Sequence, residues 1–259
     1  IMKSNSIPRS LFVTLIAICA SLYAVAAYLT AYIESPWGMG QFRPAVVIPL
    51  LFSTFNPWIG AVGGALGTLI TDSIKHGYIY PPSLIAAVPG HIIGLSLYGY
   101  MVRKFTWTRF IIASIISLII ANFIVAVLYI PYVTGIFNVP LIIGLTLWWY
   151  ITMLPFALFV GPILIKAVVS AVPILASQDL RNATLKSEIP KIKFMTVLVV
   201  SGSLMILIGL SFLYYPNLGS SLLLKKNATD MITTMFTFTG GASLIIGLIF
   251  GLSTIIRKT

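Results

Sequence analysis

Six mostly apolar stretches, 11–33, 82–102, 110–133, 142–165, 194–214 and 231–255, each reach the ~20 residues that an α-helix needs to cross a bilayer. A chain of 259 residues that is 59% hydrophobic and 8% charged cannot hide so many such runs from water. The sequence therefore predicts an all-α integral membrane protein, a polytopic helical bundle whose solvent is lipid. A net charge of +11 would point to nucleic acid in a soluble protein. Here the basic residues lie in short segments between apolar runs, where they set topology, and no nucleic-acid partner is expected. Ala24-Val25-Ala26 resembles a signal cleavage site, but the run 11–33 is too long for a signal h-region and reads as a retained span. The single cysteine, Cys19, lies inside that span and says nothing about redox compartment.

The stretch 45–74 carries Asn56-Pro57 near its middle, where proline removes a backbone donor and drives the preceding residue out of α geometry. It is either one kinked helix or a tight hairpin, and the distribution of positive charge separates the two. With the N-terminus inside and a hairpin at Asn56-Pro57, twelve of the 16 basic residues fall inside and only Arg43, Lys75, Lys225 and Lys226 outside; a single crossing leaves 5 inside and 11 outside. The positive-inside rule selects the hairpin. About eight membrane segments follow, at 11–33, 45–55, 58–74, 82–102, 110–133, 142–165, 194–214 and 231–255, in a multi-pass cell-membrane protein with both termini cytoplasmic. The sequon Asn227-Ala228-Thr229 then falls in an outside loop, making Asn227 a glycosylation candidate. No internal repeat is visible, so nothing marks an inverted-repeat secondary transporter.

Helix association in lipid relies on small residues four apart. Gly60/Gly64, Gly63/Gly67 and Ala61/Ala65 make the third segment small on nearly all sides and predict that it is the most enclosed, while Ala20/Ala24 and Gly247/Gly251 mark contact faces on the first and last. Polar residues within spans are costly and so draw notice. His91 and Asn122 sit near the middles of the fourth and fifth segments; either meets a ligand, or His91 is a neutral imidazole bonded to a neighbouring helix. Asp72, beside Lys75 and His76, reads as a solvated helix end. At 100° per residue at least one of Trp148, Trp149 and Tyr150 faces the bundle interior, where its apolar face and polar edge suit a small-molecule pocket. Tyr129 and Tyr132 read as belt residues at the membrane interface or as lining of the same pocket.

No G-x-x-x-x-G-K-[ST] loop is present, two histidines make no metal site, and no span carries paired acids or a nucleophile with its base. The chain is therefore not expected to be an enzyme by itself, and no metal or cofactor is assigned.

The passage Gly40-Gln41-Phe42-Arg43-Pro44-Ala45-Val46-Val47-Ile48-Pro49-Leu50-Leu51-Phe52, then Asn56-Pro57-Trp58 and the glycine-rich run to Asp72, resembles the substrate-binding S components of energy-coupling-factor (ECF-type) transporters. Pro82 to Gly94, closing on Gly99-Tyr100 and Arg103-Lys104, is similar to the fourth helix of that family, and Ala20-x-x-x-Ala24 to the motif by which its members dock onto the coupling subunit. Phe52-Ser53-Thr54-Phe55-Asn56-Pro57-Trp58 departs from the family's F-G-P turn but keeps the proline and an aromatic. The resemblance implies a six-helix core over 1–175, a cytoplasmic loop over 176–193 and an additional helix pair over 194–259 that the usual S component lacks.

It also implies a small vitamin-like substrate entering from outside beneath the loop 34–44. Trp37, Gln41 and Arg43 would contribute from the loop, with His91, Asn122, Trp149 and Tyr150 below. The implied partners are a transmembrane coupling subunit, docked at Ala20 and Ala24, and ATP-binding-cassette ATPases. The extra helix pair admits an alternative, a structural or accessory subunit of a larger membrane complex.

Overall fold

The computed structural model describes residues 8–215 and 228–255; Asn227 lies outside them. Every element of regular structure among the described residues is helical: α1 (Arg9–Tyr28), α2 (Val47–Phe55, entered through a 3-10 turn at Pro44–Val46), α3 (Pro57–His76), α4 (Val88–Met101, entered through a π turn at Ser83–Ala87), α5 (Trp107–Thr134), α6 (Val139–Ala171), α7 (Gln178–Arg181), α8 (Lys191–Tyr214) and α9 (Ala228–Ile255). Six helices are long and apolar enough to cross a membrane, namely α1, the stretch Ser83–Met101, α5, α6, α8 and the stretch Thr229–Ser253. The remaining pair behaves differently. The helix Pro44–Phe55 is apolar but short, and α3 has 20 residues whose glycines, threonines and Asp72 leave it less apolar.

The chain turns back at Asn56, whose extended backbone (φ −151°, ψ 125°) ends α2 and whose side chain accepts a hydrogen bond from the Trp58 amide at 3.0 Å, capping α3. Pro57 occupies the first turn of α3, where its missing N–H is no loss. The two helices then run antiparallel in close contact: a Cβ on Gly60 would strike Ser53 and the Pro49 carbonyl, and one on Gly64 would strike Pro49. Only glycine lets the backbones approach so nearly. At its far end α3 stops at Gly77, which takes the left-handed conformation (φ 78°) that other residues avoid.

Around this hairpin α1, α2 and α4 pack on three sides of α3, so the expected enclosure holds there; the fourth side exposes Leu66, Ile70 and Ile74. The small face of α1 is consumed in this packing. Gly63 lies against Cys19, Gly67 against the Ala20 carbonyl, and Thr71 Oγ1 donates to the Ala24 carbonyl at 3.1 Å. Ala20 and Ala24, expected to dock a partner, are thus buried against α3, while Leu22 and Val25 on the other side of α1 are exposed. Small residues four apart serve an internal contact as readily as an external one, which is why spacing alone misassigns the face.

Several boundaries also move. α1 ends at Tyr28, short of the expected 33, because Thr30 to Ile33 turn into the following loop. α6 continues to Ala171 and has 33 residues, about 50 Å of helix, with Pro155 and Pro162 inside it. The segment expected as a plain loop over 176–193 contains α7 and a π turn at Asn182–Lys186, and Trp107 Nε1 donates to the Ala183 carbonyl at 3.0 Å.

α8 and α9 pair most closely with each other, with Gly202 and Gly240 each set against the other's carbonyl. They meet the rest of the bundle through aromatic contacts. Phe194 of α8 stacks on Phe110 at 6.0 Å between ring centroids, and Phe236 of α9 lies 5.6 Å from Trp148.

Candidate functional site

The segment between α1 and α2 folds into a compact loop. Phe42 N donates to the Ile33 carbonyl at 2.8 Å and Ser35 N to the Gly40 carbonyl at 3.1 Å, bridging Glu34 to Gln41. Gly38 and Gly40 hold left-handed backbone (φ 66° and 73°), and a Cβ on Gly40 would strike the Trp149 indole. From α6, Trp149 Nε1 donates to the Gln41 carbonyl at 3.0 Å, so the loop is fastened to the far side of the bundle. On the near side Lys75 Nζ donates to the Ala31 carbonyl at 2.8 Å and pairs with Glu34 at 3.4 Å.

Beneath the loop lies a cavity of about 120 Å³. Its polar floor is built around Asp72 and Arg43, which join at 2.5 Å. Asp72 is only 4% exposed. Its carboxylate also accepts from Gln41 Nε2 at 3.3 Å and from the Ser83 hydroxyl, while Arg43 donates to Thr68 Oγ1 at 3.1 Å and to Gln41 Oε1 at 3.5 Å. Burial works against the Arg43 charge, but Asp72 and the Tyr23 hydroxyl together outweigh it and hold the guanidinium above its ordinary range. The pattern is that of a buried charge pair held by further hydrogen bonds on both partners.

His91 extends this network. Its Nδ1 lies 2.8 Å from the Ala87 carbonyl, which can only accept, so Nδ1 carries the proton and Nε2 accepts from Thr68 or Tyr23, each at 3.3 Å. The opposite wall is apolar and aromatic. Trp149 and Tyr129 meet edge to face at 6.5 Å, with Val125 and Met153 beside them. Asn122 projects from α5 into this wall. Near the mouth His76 stacks on Tyr80 at 3.9 Å.

Five of the seven expected substrate-binding residues, Gln41, Arg43, His91, Asn122 and Trp149, therefore line one cavity. Trp37 and Tyr150 lie elsewhere. The Trp37 ring covers Gly144 and borders an apolar groove between α6 and the α8–α9 pair, and Tyr150 is half-buried against the hydrophobic core. Asp72, read as a solvated helix end, is instead the buried anchor of the site. It has left water because Arg43, 29 residues away, neutralises it. Glu34, Lys75, His76, Tyr80 and Ser83 also line the cavity without having been singled out as ligand contacts. A signal for the α3 contribution was present: Thr68, Asp72 and His76 recur every four residues and so share one face of that helix.

No group of three or more His, Cys, Asp or Glu among the described residues could hold a metal ion. Comparison with protein-family models, curated proteins and solved structures gives no match to this chain.

Proposed function

We propose that the chain is a membrane-embedded subunit that captures a small solute in the cavity beneath the loop 33–42, and that it works as the substrate-binding component of an ECF-type transporter. The observation that carries this reading is a partly open chamber between otherwise apolar helices, with a polar floor built on the hydrogen-bonded Arg43–Asp72 pair and an aromatic wall. Polar groups at such depth are expensive to maintain and mark solute pathways in membrane proteins. In this reading the hairpin α2–α3 counts as two short membrane segments beside the six long ones. Both termini face the cytoplasm, and the cavity opens to the outer side of the cell membrane. Partner ATPases, reached through a coupling subunit, supply the energy. Because Ala20 and Ala24 are covered by α3, the coupling subunit would meet the exposed α1 face that bears Leu22 and Val25.

Affinity purification from native membranes tests the proposal. Co-isolation of ATP-binding-cassette subunits, with ATP-dependent uptake of a micronutrient in proteoliposomes, is the expected result. Isolation of a stable complex lacking any such ATPase would overturn it.

One observation favours a second reading, a structural or accessory subunit of a larger membrane assembly. The α8–α9 pair is joined mainly to itself and leaves Val200, Leu204, Leu207, Ile245 and Ile249 exposed, a broad apolar surface suited to lipid or to another membrane protein. The same purification discriminates, since a scaffold would bring down non-transport partners.

A further inference from the structure

We infer that the solute is compact, carries no net charge and presents an amide or lactam edge, which Asn122 reads; this rests on the capture reading above. The first argument concerns charge. Glu34 and Asp72 are the acidic residues lining the cavity, and Lys75 and Arg43 pair with them at 3.4 and 2.5 Å. With each of these charges already matched, a lone cation or anion would either enter uncompensated or break one of these pairs, of which Arg43–Asp72 is buried, and both are penalised. A neutral solute incurs neither penalty.

The second argument concerns Asn122. It is only 5% exposed, lines the cavity, and makes one contact, from Nδ2 to the Met153 thioether at 3.6 Å. Sulfur is a weak acceptor, and the Asn122 carbonyl has no partner among the described residues. The amide oxygen reaches the cavity and keeps its hydrogen-bonding capacity for an occupant. Asp72, Arg43 and Gln41 are by contrast occupied with one another, and His91 with Ala87, Thr68 and Tyr23. Asn122 is thus a polar group deep in the chamber with both a donor and an acceptor to offer, while His76 stands near the mouth. A lactam or carboxamide supplies the matching acceptor and donor side by side.

The third argument concerns size and shape. A volume of about 120 Å³ falls well below the roughly 300–1,000 Å³ of sites for drug-sized ligands, so the solute is on the scale of a single small ring system. Trp149 and Tyr129, which meet edge to face in the wall that also bears Asn122, favour a flat ring that can lie against an aromatic surface.

The test uses the full chain purified in detergent. Uracil and nicotinamide serve as neutral probes and glutamate and spermidine as charged ones, with thermal stabilisation and tryptophan fluorescence as readouts. Solute carried through purification is extracted and its charge determined by mass spectrometry. Binding of a neutral probe, or recovery of a neutral amide or lactam, is expected, with affinity reduced about tenfold or more in Asn122→Leu. Asn122→Gln, which keeps the amide but shifts it, guards against a folding defect and should bind more weakly while remaining monodisperse. Binding of glutamate or spermidine, or recovery of a charged solute, would overturn the inference and leave the capture reading intact. So would an Asn122→Leu affinity equal to that of the parent. No bound probe and no recovered solute would remove the capture reading itself.

Discussion

Arg43 and Asp72, separated by 29 residues, meet at 2.5 Å where the entrance to α2 passes the last turns of α3. The contact follows from the reversal at Asn56, which returns α3 to the level at which α2 began. A charged pair buried this deeply is fragile to half-removal. Asp72→Asn or Arg43→Gln leaves the other charge stranded, at a loss of about 3–5 kcal/mol. A double replacement such as Arg43→Met with Asp72→Leu should melt above either single variant in a detergent thermal scan. Equal melting of the singles and the parent would show that the pair does not hold the hairpin together.

Gly40 predicts a different kind of failure. Its left-handed backbone (φ 73°) disfavours any side chain by about 1–2 kcal/mol, and the Trp149 ring leaves no space for one. Gly40→Ala should therefore lift the loop from α6 and break the bond from Trp149 Nε1 to the Gln41 carbonyl. Trp149→Ala removes the overlap together with the ring that fastens the loop, so Gly40→Ala should cost less stability in a Trp149→Ala background than in the parent, the backbone strain alone remaining. Trp149 fluorescence in the single Gly40→Ala variant, red-shifted as water reaches the ring, provides the second reading.

The reversal at Asn56-Pro57 was legible in the sequence because a proline in a long apolar run has few structural meanings and the charge distribution chose among them. The cavity was legible in part. His91, Asn122 and Trp149 are polar or aromatic residues in spans where apolar aliphatics would be expected, and that contrast identifies them without knowledge of their neighbours, whereas Gln41 and Arg43, in a loop, were drawn in by the family resemblance. Asp72 was missed because a carboxylate near a helix end beside Lys75 and His76 has an ordinary solvated explanation; only the long-range pairing with Arg43 changes it. Trp37 and Tyr150 were misplaced for a related reason. Position in a loop or in an aromatic run fixes depth approximately, but the rotation of a side chain around its helix, and hence the cavity it joins, depends on packing partners far along the chain. The same holds for Ala20 and Ala24, whose spacing declares a contact without declaring its other half.

That other half supplies a prediction. Ala24 is buried against α3 next to Thr71, and Ala20 against Gly67. Ala24→Leu should overpack this seam and destabilise the isolated chain by about 1–3 kcal/mol. Leu22→Ala and Val25→Ala, on the exposed side of α1, should leave the melting temperature of the isolated chain unchanged and weaken only co-purification of a partner. If Ala24→Leu melts like the parent and loses only its partners, the seam is an external one and the packing described for α1 and α3 is incorrect.

The relation between loops is the most stringent check on the fold, because it needs no knowledge of substrate or partner. Trp58, just past the turn, donates from Nε1 to the Tyr100 hydroxyl at 3.0 Å, so the Asn56 turn and the end of α4 lie at one level of the bundle. Tyr80, following α3, lies 3.4 Å from Tyr129 near the end of α5, at the other level. In a Cys19→Ser background, cysteines at Tyr78 and Ile136, both exposed, should react together with a membrane-impermeant maleimide applied to one side. A cysteine at Lys104, in the segment joining α4 to α5, should react only from the opposite side. A result in which positions 78 and 136 label from different sides would mean that α5 does not return the chain to the level of the α3–α4 connection. It would separate Tyr80 from Tyr129 and dismantle the cavity between them.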